Sequence, residues 1–184
     1  SFAVLWTNPG DPSGIAAAWY KMGTPPASNS DGTRVGGSNI GSLTGLVIPS
    51  EGETIVYVWL EDGAGNRDHN SRGEITLRYD ATKPGSGTVA INNGAAYATS
   101  LIVTLNKLGA VDTLSGISKM RFSNNPGGPW SDAEAFTADR TGWDLSASGG
   151  TTSAGRKAVF VQYQDGAGNW SDSFSDEITY QPPL

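Results

Sequence analysis

The stretch Val56-Tyr57-Val58-Trp59-Leu60-Glu61-Asp62-Gly63-Ala64-Gly65-Asn66 recurs as Val159-Phe160-Val161-Gln162-Tyr163-Gln164-Asp165-Gly166-Ala167-Gly168-Asn169. Asp62 and Asp165 stand 103 positions apart, and the match continues without a gap from Glu74-Ile75-Thr76 to Glu177-Ile178-Thr179. Upstream, Ser13-Gly14-Ile15 is echoed by Ser115-Gly116-Ile117. A repeat of about a hundred residues is the size of one small β-sandwich domain, whereas solenoid repeats are several-fold shorter. The 184 residues therefore divide into two globular domains.

Inside the repeated stretch, Val56, Val58 and Leu60 alternate with Tyr57 and Trp59, and Val159, Val161 and Tyr163 alternate with Phe160, Gln162 and Gln164. A period of two with one apolar side marks a strand that covers a core with one face. Phe2, Val4 and Trp6 follow the same pattern, as do Leu101, Val103 and Leu105, and Met120 and Phe122. No window carries a comparable helical stripe. Turn-forming clusters such as Asn-Pro-Gly, Ser-Gly-Gly and Gly-Ala-Gly-Asn separate the strands. The run Tyr79-Asp80-Ala81-Thr82-Lys83-Pro84-Gly85 reads as a linker, because Pro84 has no amide to give to a ladder. The expected domains are thus 1–83 and 84–184. The expected core is Phe2, Val4, Trp6, Tyr20, Val56, Val58, Leu60, Ile75 and Leu77 in the first. In the second it is Leu101, Val103, Leu105, Met120, Phe122, Val159, Val161, Tyr163 and Ile178.

Composition excludes several functions. Charged residues make up 16% of the chain and the net charge is −6, so it lacks the broad cationic surface that phosphate backbones require, and no nucleic-acid partner is expected. No apolar run is long enough to span a bilayer, and the N-terminus has no signal-peptide pattern. With no cysteine and one histidine, thiol nucleophiles and multi-histidine zinc sites are excluded. His69 lies in the polar run Asn66-Arg67-Asp68-His69-Asn70-Ser71-Arg72 with no nucleophile elbow nearby, and reads as a solvated loop residue. Paired carboxylates for glycoside hydrolysis need a cleft, which small sandwiches rarely enclose, so no catalytic residue is expected.

Several motifs together resemble bacterial immunoglobulin-like (fibronectin-III-like) modules that occur in tandem in large extracellular and cell-surface proteins. They are Trp6-Thr7-Asn8-Pro9-Gly10-Asp11-Pro12-Ser13-Gly14-Ile15, Val58-Trp59-Leu60-Glu61-Asp62-Gly63-Ala64-Gly65-Asn66 and Leu77-Arg78-Tyr79-Asp80-Ala81-Thr82-Lys83-Pro84. In the second half they are Ser115-Gly116-Ile117-Ser118-Lys119-Met120-Arg121-Phe122-Ser123-Asn124, Pro129-Trp130-Ser131 and Trp143-Asp144-Leu145. The resemblance covers essentially the whole chain. It implies an all-β fold of two tandem immunoglobulin-like β-sandwich domains and a role as spacer, adhesive or accessory unit. Fold-level likeness of this kind does not supply a mechanism. One departure stands out. The segment Gly87-Thr88-Val89-Ala90-Ile91 precedes the strand that begins near Ser100, yet Ser1 matches Ser100, so the first domain has its first strand missing from this chain. Either a cropped terminus or an edge filled by a neighbour is expected there.

Two sets of residues are candidates for binding. The loops of an immunoglobulin sandwich gather at its ends, which would bring Asp11 near Asp62 and Asn66, and Asp112 near Asp165 and Asn169. Clustered carboxylate and amide oxygens suit calcium, the one cofactor considered. The other reading is that Asp62 and Asp165 accept backbone N–H bonds within their own Asx-type turns. The second set is Trp19, Tyr57 and Trp59, which by alternation share an outer sheet face rimmed by Lys21, Glu61 and Arg78. An exposed aromatic platform stacks sugar rings, while the other reading is packing among themselves or against another domain. The second domain carries Arg121, Phe160 and Gln162 in those places, so the platform is not repeated. Trp6 is expected in the core, whereas Trp130, Trp143 and Trp170 lie on or beside turns.

The expected function is that of a non-catalytic structural or adhesive spacer in a larger extracellular or cell-surface protein. The alternative is a carbohydrate-binding accessory module of a polysaccharide-acting enzyme. Its expected partners are neighbouring domains of the same polypeptide and, on the alternative, a polysaccharide or cell-surface glycan.

Overall fold

The computed structural model describes residues 1–183. The chain divides into two compact units, Ser1–Tyr79 and Asp80 onward. The division falls four residues before the linker proline. Asp80 and Lys83 go with the second unit because Asp80 accepts a hydrogen bond from Ser115 and Lys83 pairs with Asp172.

In the first unit the strands are β1 (Phe2–Leu5), β2 (Ile15–Met22), β3 (Thr33–Gly36), β4 (Ser42–Leu46), β5 (Gly52–Asp62) and β6 (Gly73–Tyr79). They form a sheet of order β3-β2-β5-β6 and a second sheet, β1-β4. In the second unit they are β7 (Gly85–Ile91), β8 (Tyr97–Ala98), β9 (Ile102–Val111), β10 (Ile117–Ser123), β11 (Glu134–Ala135), β12 (Arg140–Asp144), β13 (Gly155–Asp165) and β14 (Phe174–Tyr180). Their sheets are β11-β10-β13-β14-β8 and β12-β9-β7. Each unit is an immunoglobulin-like β-sandwich. β1 to β6 correspond in order to β9 to β14, and β7 and β8 have no counterpart in the first unit.

The repeated motifs meet in space. Gly63 donates its amide to the Gly14 carbonyl at 2.8 Å, and Gly166 donates to Gly116 at 2.9 Å. Gly14 and Gly116 have φ of 72° and 69°, a left-handed backbone that favours glycine. The Ser-Gly-Ile and Asp-Gly-Ala-Gly-Asn signatures are therefore two halves of one recurring contact at the end of each sandwich.

The second unit closes around Ile91, Val103, Leu105, Met120, Phe122, Trp143, Leu145, Val159, Val161, Tyr163 and Ile178. Trp143 belongs to β12 and is buried in this core, although its sequence neighbourhood reads as a turn. Of the residues expected there, only Leu101 stays half-buried.

The first unit departs further from expectation. Its fully buried cluster is Ala18, Leu43, Leu46 and Val56, while Phe2, Val4, Trp6, Tyr20, Val58, Leu60 and Leu77 face it half-buried. Ile75, expected in the core, is 44% exposed, whereas its counterpart Ile178 is 2% exposed. The alternation is right in each strand, but a side chain on the correct face is buried only when a strand covers it. β1 pairs with β4 alone and β6 with β5 alone, whereas β9 and β14 each have a strand on both sides.

Candidate functional site

The acidic loops of the second unit bring the expected Asp112, Asp165 and Asn169 together. Carboxylate oxygens of Asp112, Asp165 and Asp80 lie within 4.8 Å of one another. Asp165 is 1% exposed; its Oδ1 accepts the amides of Gly168 and Asn169 at 2.7 and 2.8 Å, and its Oδ2 accepts Asn169 Nδ2 at 2.8 Å. Asp112 Oδ1 accepts the amides of Ser115 and Gly116, each at 2.8 Å. Asp80 Oδ2 accepts the Ser115 hydroxyl, and the Asp80 carbonyl accepts Asn169 Nδ2 at 3.3 Å. Each carboxylate thus closes a turn of its own backbone, and Ser115 and Asn169 knit the turns together. Among the described residues no lysine or arginine pairs with any of the three. Asp80 was missed by the sequence reading because it sits in the linker, far from both loops. Only the sandwich topology brings it to them.

In the first unit Asp62 repeats the arrangement, with Oδ1 accepting the amides of Ala64 and Asn66 at 2.9 and 2.8 Å and Oδ2 accepting Asn66 Nδ2 at 2.8 Å. These bonds, the one from the Asn66 side chain foremost, hold the Asp62 carboxyl below the usual carboxylate range. Asp11 instead bonds the amide and hydroxyl of Ser13 at 2.8 and 2.6 Å. Asp11, Asp62 and Asn66 do line one shallow depression, but the Arg67 side chain shares it.

The outer face of the β3-β2-β5-β6 sheet carries Trp19, Tyr57 and Trp59, as alternation requires. Its exposure is the correction. Trp59 is 1% exposed and Tyr57 5%, so no flat open platform exists. Trp19 and Trp59 stack with ring centroids 6.2 Å apart and planes 19° from parallel. The loop between β2 and β3 lies over Trp59, whose Nε1 donates to the Asn29 carbonyl at 3.1 Å. A Cβ on Gly32 would come within 2.5 Å of Trp59 Cη2, so that loop packs closely only because it has glycine there. From the other side the segment after β5 contributes Arg67, 4.8 Å from the Trp19 ring, and Arg72, 5.3 Å from the Tyr57 ring.

The expected rim is also rearranged. Glu61 is buried and accepts hydrogen bonds from Trp19 Nε1 at 2.8 Å, Arg34 at 2.8 Å and Arg67 at 3.1 Å. The Arg34 bond first, then that from Trp19, holds its carboxyl below the usual carboxylate range. Lys21 pairs with Asp31 and Arg78 with Glu53, each at 2.8 Å. The second unit builds the same outer face with roles exchanged. Arg121, at the place of Trp19, lies 4.2 Å from the ring of Trp170, which stands at the place of Arg67. An aromatic–cation stack on this face is common to both units, which marks it as part of the fold.

His69 lies in a short 3-10 turn, His69–Ser71, capped by Asp68. Its amide and Nδ1 both meet Asn29 Oδ1, at 2.9 and 2.7 Å. The residue ties the covering loop to the segment after β5, a structural task that its polar sequence context conceals.

No family model matches the chain. No curated protein matches it either. Among solved structures it is similar to the fibronectin(III)-like modules of Clostridium thermocellum CbhA, with 14% identity, a TM-score of 0.43, and coverage of 95% of this chain and 83% of that one. It is also similar to a tetra-tandem repeat in the extending region of a large adhesion protein, with 21% identity and a TM-score of 0.37. That match covers 90% of this chain and 41% of the other. At these identities the likeness concerns the fold and carries nothing about function.

Proposed function

We propose that this chain is a pair of non-catalytic structural modules that act as a spacer in a larger extracellular or cell-surface protein. The observation that supports this most is the fate of its chemically capable side chains. The carboxylates of Asp62, Asp112 and Asp165 close turns, His69 tethers a loop, and Tyr57 and Trp59 are buried under the unit's own segments. The carbohydrate-binding alternative rested on three exposed rings, and only Trp19 remains partly accessible. Calcium is a second reading for one place. Three carboxylates meet at Asp80, Asp112 and Asp165, no lysine or arginine among the described residues pairs with them, and like charges at that spacing favour a bound cation.

One set of titrations tests both. Melting curves and tryptophan fluorescence are recorded with a panel of soluble polysaccharides, and with millimolar calcium against chelator. The spacer reading expects no saturable response to any glycan; a saturable one lost in Trp19→Ala would establish the carbohydrate reading instead. Calcium bound only to the native state raises the melting temperature by mass action, and Asp112→Asn should abolish the rise. Identical curves in calcium and chelator exclude the metal.

A further inference from the structure

The two units differ near the start of the long strand that carries the repeat. In the first, β2 ends at Met22, and the Gly23 amide then donates to the Ile55 carbonyl of β5 at 2.9 Å. In the second, Ala158 of β13 is the counterpart of Ile55, 103 positions on. There β10 ends at Ser123, opposite Phe160, and the amide of Asn125, at the place of Gly23, turns back to Ser123 Oγ at 3.0 Å. Tyr163 gives its amide and carbonyl to Ser171, away from β10, so by alternation Gln162, Phe160 and Ala158 direct theirs towards β10. Among the described residues nothing bonds the amide and carbonyl of Ala158 on that side. What faces them is a hollow of about 310 Å³ whose walls include Asn124, Pro126, Leu145, Thr151, Lys157 and Phe160.

Lys157 gives this hollow its charge. It points inward from β13 and is 8% exposed, at the place where the first unit has Thr54. Its ammonium donates to the Thr151 carbonyl and hydroxyl at 2.6 and 2.7 Å, and among the described residues no carboxylate pairs with it. Glu177 in the same wall is neutralised by Arg156, whose Nε donates to it at 2.8 Å. A lysine ammonium has three N–H groups, so one is left to give, and a buried charge without a counter-ion favours a carboxylate that can reach it. We propose that this hollow is a binding site for an acidic residue of a peptide. The peptide backbone completes the pair that Ala158 offers, and the carboxylate of the adjoining Asp or Glu meets Lys157. Pairing with a strand edge supplies affinity, and the charge in the wall supplies selection. The site does not depend on the spacer reading: a glycan titration leaves the Ala158 amide untouched, so either can fail alone.

The test titrates the full chain with the blocked dipeptide acetyl-Ala-Glu-amide and follows hydrogen exchange at the Ala158 amide, with acetyl-Ala-Gln-amide and acetate as controls. The glutamyl peptide should bind saturably in the millimolar range, as suits a ligand of this size, and slow exchange at Ala158 by about tenfold at saturation. The glutaminyl peptide has no charge for Lys157 and should bind about tenfold or more weakly, the loss of one charge-assisted hydrogen bond. Lys157→Met keeps the apolar stem and should abolish this preference. Unchanged exchange at Ala158 in the glutamyl peptide overturns the proposal, and so does a preference that persists in Lys157→Met. Equal binding of the two peptides by the parent chain overturns it as well, whether or not the variant folds. Acetate bound as tightly as the glutamyl peptide would leave a site for a small anion and overturn the peptide.

Discussion

Tyr163 shows how a single side chain depends on its unit being closed. Its hydroxyl donates to the Thr88 carbonyl and accepts the Gly109 amide at 3.0 Å, joining β13 to β7 and β9. Burial pushes the phenol up to about 12, against the smaller opposing effect of the Gly109 amide. A phenol raised in the folded state stabilises it fully below the unfolded value near 10, and this contribution is lost as pH rises through about 12. The second unit should therefore lose stability between those limits, and in Tyr163→Phe the alkaline limb should be flatter. At neutral pH the same variant should cost about 1–3 kcal/mol by leaving the Thr88 carbonyl and Gly109 amide unpaired. Denaturant midpoints of the two proteins from pH 7 to 11.5 check both statements; parallel curves across that range would contradict the first.

At the scale of elements, β5 is buried on both faces by different means. Val56 and its neighbours meet the opposing sheet, while Trp59 is covered by a loop and by the stacked Trp19, and Tyr57 by Arg72. The loop depends on Gly32, which is not in the left-handed region but lies against Trp59 and the Tyr20 carbonyl, where a Cβ would sit 2.5 and 2.7 Å away. Gly32→Ala should lift the loop from Trp59 and destabilise the first unit by about 1–3 kcal/mol through overpacking. Gly10→Ala, where a Cβ meets nothing within 4 Å, should stay within about 0.5 kcal/mol of the parent. Acrylamide quenching should increase in the first variant and not in the second. Equal midpoints for the two variants would show that the loop does not pack on Trp59 in solution.

Across the whole molecule, the two repeats share a framework and differ in how their outer strands are flanked. The second has a strand on each side of β9 and β14 and buries Ile178, while the first leaves β1 and β6 with open edges and exposes Ile75. Burial of an apolar side chain contributes about 1.5–3 kcal/mol, so the first unit should be the less stable. Hydrogen exchange in rising denaturant is expected to release the amides of β5 before those of β13. Release of β13 first, or of both at one midpoint, would contradict this order.

The repeat of Val56–Asn66 at Val159–Asn169, the period of two in its strands and the glycines of its turns were sufficient to determine an all-β, two-unit architecture and the facing of the side chains in the alternating strands, though not that of Trp143, which reads as a turn residue and lies buried on β12. These are local properties: a strand's alternation is set by its own pleat, and a turn's glycine by its own φ. Burial is not local. Trp59 and Ile75 both lie where alternation puts them, yet Trp59 is covered and Ile75 is not, because cover comes from segments distant in the chain. The same holds for the acidic cluster. Asp112 and Asp165 could be paired from the order of the loops, but Asp80 joins them only because the linker folds back against the sandwich end. Which face a side chain takes was legible in the sequence; what lies against that face was decided by tertiary packing alone.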